Sequence, residues 1–111
     1  MHLSKKALDG NVETFLLSVL RDGSNYGYGI VEELNRRAPH LVQFGEGTVY
    51  PVLHRMEKKG LIEAEWKTGD TGRRRKYYRP TQTGKTALSE NLEEFSHLVK
   101  AFGALTAQPT S

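Results

Sequence analysis

The chain has 111 residues, 16 Lys and Arg against 13 Asp and Glu, four His and no Cys, for a net charge of +3. That length suits one domain and argues against a two-domain enzyme, while the absence of cysteine excludes a disulfide framework, a thiolate zinc site and a cysteine nucleophile. The longest apolar run, Phe15-Leu16-Leu17, falls far short of the ~20 residues a membrane span needs, and the start lacks a signal-peptide core, so a soluble cytoplasmic protein with no membrane partner is expected.

Leu8, Val12, Phe15, Leu16, Val19 and Leu20 recur at three- and four-residue spacing and predict a first helix over about 8–20. Asp22-Gly23-Ser24-Asn25 reads as a turn in which Ser24 or Asn25 can cap a second helix. That helix, about 26–38, turns Ile30, Val31 and Leu34 inward and stops at Ala38-Pro39, because the residue before proline is pushed out of helical geometry. Gly27 and Gly29 weaken it, and a close helix–helix approach would explain them. A third helix starts within 45–48 and runs to Lys59, with Gly60 as its stop. It buries Val49, Val52, Leu53 and Met56 and leaves Tyr50, His54, Arg55 and Lys58 or Lys59 outward, with Thr48 at its N-terminal end. Pro51 is harmless if the helix starts at Thr48 and kinks it if the start is earlier.

Beyond Gly60 the period changes to alternation: Ile62, Ala64 and Trp66 on one side, Glu63, Glu65 and Lys67 on the other. Thr68–Gly72 is a turn-rich tip, and Arg75–Arg79 is the returning strand, closed by Pro80. Tyr77 and Tyr78 alternate, so only one can face outward. Thr81 or Thr83 can cap a last helix over about 82–105, with a heptad-like seam at Leu88, Leu92, Phe95, Val99 and Phe102, widened by Leu98 and Leu105. A helix this long outruns a small core and favours a twofold partner on its seam, although the seam could instead cover the first helix.

Charge is unevenly placed. Lys67, Arg73, Arg74, Arg75, Lys76 and Arg79 face Asp70 alone within 67–79, while the other stretches nearly balance. Three helices, a basic hairpin and a further helix make a mainly α chain with a small β-hairpin: a winged helix-turn-helix over 1–80, a dimerisation helix over 81–105 and a flexible tail over 106–111. In that layout the third helix enters the major groove and the hairpin reaches the flanking backbone or minor groove. The helix N-terminus offers free N–H groups to phosphate, and Thr48, Tyr50, His54, Arg55, Lys58, Arg73, Arg74, Arg75, Lys76 and Tyr78 are the candidate contacts to double-stranded DNA. Tyr50 can equally seal the third helix against the first. Trp66 reads as hairpin core before ligand platform. A protein-interaction module using the same seam and hairpin, without DNA readout, is the competing reading.

Asn25-Tyr26-Gly27-Tyr28-Gly29-Ile30, then Gly47-Thr48-Val49-Tyr50-Pro51 with Val52–Glu57, then Gly60-Leu61-Ile62, Gly72-Arg73-Arg74-Arg75-Lys76-Tyr77-Tyr78, Thr81 and Gly84 resemble the PadR-like transcriptional regulators over about residues 10–90. The resemblance implies a winged-helix repressor that binds near-palindromic operators as a homodimer, of the small kind with a single C-terminal helix. It also implies small hydrophobic or aromatic effectors, for which Trp66, Phe95 and Phe102 are the candidate lining. Gly45-Glu46 stand where many relatives carry serine or proline, so the cap of the recognition helix departs from the pattern.

Catalysis and metal binding find no footing. His2, His40, His54 and His97 are widely separated and no His-Glu-x-x-His, Gly-x-Ser-x-Gly, phosphate loop or dinucleotide fingerprint occurs. No enzyme activity, cofactor or metal is expected.

Overall fold

The computed structural model describes residues 3–108. Its elements are α1 (Lys5–Asp9), α2 (Val12–Leu20), β1 (Asn25–Tyr26), α3 (Gly27–Arg37), α4 (Glu46–Lys58), β2 (Ile62–Thr68), β3 (Arg74–Pro80) and α5 (Gln82–Thr106). The strands form one antiparallel sheet in the order β1-β3-β2. No helix among the described residues is long and apolar enough to cross a membrane.

The expected first helix is two. Ser4 Oγ accepts from the Ala7 N–H to start α1, which stops at Gly10, and the Asn11 amide donates to the Ala7 carbonyl across the break. Leu16, Leu17 and Leu20 of α2, Ile30 of α3, Val49, Leu53 and Met56 of α4 and Ile62 of β2 are fully buried and make the centre of the core. The inward faces read from helical periodicity therefore meet as expected.

Asn25 does not cap α3. Its side-chain oxygen accepts from the Tyr26 N–H, and Asn25 and Tyr26 pair with Tyr78 and Tyr77 as a two-residue third strand. α3 follows with Tyr26 at its N-cap and no side-chain cap. The glycines have separate reasons. A Cβ at Gly27 would run into the Tyr50 ring of α4, and one at Gly29 into the Asn25 side chain, so only Gly27 serves a helix–helix approach.

α4 starts at Glu46, two residues before Thr48, and contains Pro51. Gly45 precedes it in extended geometry and supplies no side-chain cap. The hairpin follows from Ile62↔Pro80 to Thr68↔Arg74. Its tip closes through Gly69 N–H to the Arg73 carbonyl, with Gly72 at φ +78°, a left-handed conformation that favours glycine. Thr81 caps α5: its hydroxyl oxygen accepts from the Gly84 N–H while the hydroxyl donates to the Gly60 carbonyl. Gly84 lies against the Leu61 carbonyl, which clamps the first turn of α5 to the connection between α4 and β2.

α5 spans 25 residues, about 37 Å at 1.5 Å per residue. The molecule measures 69 Å along its longest axis with a radius of gyration of 16.7 Å, against about 13 Å for a compact chain of this size. The outer part of α5 therefore stands clear of the core. The flexible tail expected over 106–111 begins inside the helix at Thr106, and residues 109–111 lie outside the described residues.

Candidate nucleic-acid interface

α4 is amphipathic in the expected sense. Val49, Val52, Leu53 and Met56 are buried, while Glu46, Gly47, Thr48, Tyr50, Pro51, His54, Arg55 and Lys58 are exposed. The Tyr50 ring lies across Gly27 yet stays 45% exposed, so it fixes α4 against α3 and still presents an edge to solvent. Its hydroxyl donates to Glu46 Oε1 at 3.4 Å. Partial burial, then the neighbouring Glu46 carboxylate, raise its pKa above the ordinary tyrosine value, so it stays a neutral donor.

Ion pairing sorts the cations. Lys59 bonds Glu13 at 2.7 Å, Arg79 bonds Glu63 at 2.7 Å, and Arg37 bridges Asp22 and Glu33. Arg36 and then Arg37 donate to the Glu33 carboxylate and hold its pKa down to about 2. Lys76 Nζ donates to Glu57 Oε1 at 3.0 Å, a bond that raises the lysine pKa above its usual value and ties the wing to α4. Arg55, Lys58, Lys67, Arg73, Arg74 and Arg75 have no acid within 4 Å among the described residues.

Aromatic rings hold three of those six. Arg75 lies 4.5 Å over the Tyr26 ring, Arg74 5.2 Å over Trp66 and Lys67 5.1 Å over Tyr77, each contact worth about 0.5–1 kcal/mol at an exposed site. A hollow of about 450 Å³ joins the two parts of the surface: Arg73, Arg74 and Arg75 from the wing, Tyr26 and Tyr28 from the start of α3, and Glu46 and Tyr50 from the first turns of α4. Tyr28, exposed in that hollow, escaped the sequence reading. It stands in the Asn25–Ile30 motif without a role, and no local spacing brings it to the wing.

Several expectations need correction. Tyr78 is not an outward contact. It is 8% exposed and joins the core, because its place opposite Ala64 puts it on the inward face of the hairpin, and Tyr77 is the half-exposed member of the pair. Trp66 keeps the side of the hairpin that Ala64 occupies, but it lies nearer the tip, beyond the core, and is 57% exposed. Leu88 is buried in the core of its own chain and is no seam residue. Leu92, Phe95, Val99 and Phe102 do form an exposed strip with Leu98 and Leu105. Of the three residues offered as effector lining, Phe95 borders a groove of about 350 Å³ with Leu3, Ala7, Phe15 and Leu92.

The profile of the Transcriptional regulator PadR-like family matches residues 16–90. The chain belongs to the PadR-like family. A transcriptional regulator of Mycobacterium tuberculosis is 35% identical over 89 residues, covering 80% of this chain and 79% of the relative. A transcriptional regulator from Clostridium thermocellum has a similar structure, with a TM-score of 0.82 at 30% identity over 95% of this chain and 99% of that one. The Bacillus subtilis PadR structure, solved in complex with operator DNA, shares the fold with a TM-score of 0.69 at 22% identity, covering 90% of this chain and 49% of that one. This PadR-like chain is thus a transcriptional regulator and not an enzyme.

Proposed function

We propose that this PadR-like protein is a cytoplasmic repressor that binds a palindromic double-stranded operator as a homodimer, with α4 in the major groove and the β2–β3 wing on the flanking backbone or minor groove. The observation that carries the reading is the shared hollow, in which the acid-free cations Arg73–Arg75 stand beside the exposed first turns of α4. Thr48, Tyr50, His54, Arg55 and Lys58 are the groove-facing set, and Lys76 acts by bracing the wing through Glu57. The operator complex of the B. subtilis protein supports the same use of this fold.

The exposed strip Leu92–Leu105 would pack on its twofold mate and hold two reading heads about 34 Å apart, one turn of DNA. A small hydrophobic effector would act by changing that spacing. A groove of about 410 Å³ between α2 and α5, floored by Leu17, Pro80, Leu88 and Leu92, suits such a ligand better than Trp66 or Phe102.

A duplex titration at two salt concentrations tests the reading. About four phosphate contacts per protomer give a log–log salt slope of roughly −4. Replacing Arg73, Arg74 and Arg75 by Ala should weaken binding to every duplex and flatten the slope by about 3. Unchanged affinity in the triple variant would remove the wing from the interface.

A further inference from the structure

Glu46 is the one acid lining the hollow between the wing and the recognition helix, among Tyr26, Tyr28, Tyr50 and Arg73–Arg75. It is the first residue of α4 and exposed. None of its neighbouring arginines lies within ion-pairing distance of it. One carboxylate oxygen accepts the Tyr50 hydroxyl and the other has no partner among the described residues. A carboxylate on a surface that meets phosphates is repelled by them and weakens sequence-independent binding. It becomes favourable only where a base edge offers an N–H donor, and in the major groove the matching partner for Glu is the N4 amino group of cytosine. The first turn of a recognition helix is the part that reaches base edges, and Tyr50, itself braced against Gly27, limits the freedom of the Glu46 side chain.

We infer that Glu46 is a specificity-determining residue that reads a cytosine in each half-site, with Tyr50 as its positioning residue. This rests on the proposed docking of α4 in the major groove. Its net effect is discrimination: it lowers affinity for arbitrary duplex while favouring sites with cytosine at one position. The alternative role, an acid placed at the positive end of a helix whose N-cap is glycine, affects stability and leaves base preference untouched.

The test is selection of binding sites from a randomised duplex library by the full chain and by the Glu46→Gln and Glu46→Ala variants, with melting temperature and affinity for a random duplex measured in parallel. Wild type should select a site with cytosine at one position per half-site, preferred on the order of 5- to 100-fold over other bases. Glu46→Gln should move that single position towards adenine, the partner of Gln, and Glu46→Ala should erase its preference. Both should bind random duplex more tightly, and the remaining positions should be unchanged. If wild type selects a defined site and both variants select the same one, Glu46 reads no base and the inference is overturned. If wild type selects no site and binds no duplex, the docking beneath it is wrong, and the inference goes with it.

Discussion

The inward face of α4 and the outer half of α5 carry stripes of comparable apolar make-up, yet Val49, Val52, Leu53 and Met56 are at most 4% exposed, whereas Leu92, Phe95, Leu98, Val99, Phe102 and Leu105 are 43–81% exposed. The difference lies in reach. α4 is sandwiched by α2, α3 and β2 within one small core, but α5 runs beside α2 only as far as Leu92 and Phe95, which border Phe15, and then extends past it. Thr14, through its bond from Asn91 at 3.1 Å, is among the last anchors. An apolar stripe thus reports only that a side chain will be covered. Whether the same chain can supply the cover depends on how far its other elements extend. Covering the α5 strip would release several kcal/mol, at about 25 cal/mol per Å², before the costs of association.

Substitutions on the two stripes should therefore behave differently. Leu53→Ala should have the largest effect on folding, about 2–5 kcal/mol of lost stability in a denaturant titration, at any protein concentration. A loss below about 1 kcal/mol would mean that α4 is not the centre of the core. Val99→Glu combined with Phe102→Glu should leave the core intact and act on self-association. Wild-type melting should rise with protein concentration, as it does for any folded state stabilised by a partner. The double variant should melt at a concentration-independent temperature and sediment as a monomer. A wild type that is monomeric throughout would break the comparison, since the strip would then need no partner.

The smallest effect concerns neither stripe and serves as a control on surface electrostatics. The Glu33 carboxylate, held down to about 2 by Arg36 and Arg37, contributes stability above its ordinary value of 4.5 that is lost as pH falls towards 2. The pair is solvent-screened, so the contribution is minor. Glu33→Gln should lie slightly below wild type in stability at pH 6, and the gap should close between pH 4.5 and 2. A gap that is flat across that range would show that the pair contributes nothing to folding.

Much of this was legible in the sequence because the signals were periodic and local. The α4 stripe, the switch from helical to alternating period after Gly60, a threonine cap at 81 or 83 and the basic wing all follow from residue spacing and composition. What escaped required a partner distant in the chain. β1 is only two residues and exists through pairing with β3, some fifty positions away. Alternation said that one of Tyr77 and Tyr78 is buried, and the hairpin register, which sets Tyr78 opposite Ala64, selects Tyr78. Trp66 occupies the side of the hairpin that parity assigns, but parity does not say where the core ends. The proximity of Glu46 and Tyr28 to Arg73–Arg75 arises when the wing folds back beside α4, a docking that no local spacing encodes.

The claim on which the functional reading depends is that α4 and the wing form one DNA-facing surface, repeated by a twofold axis. Hydroxyl-radical footprinting of the full chain on its selected duplex tests this most directly. The expected result is two protected half-sites centred about one helical turn apart, each with a flanking protection that disappears when Arg73, Arg74 and Arg75 are replaced by Ala. A single unrepeated footprint, or flanking protection that survives those replacements, would contradict it.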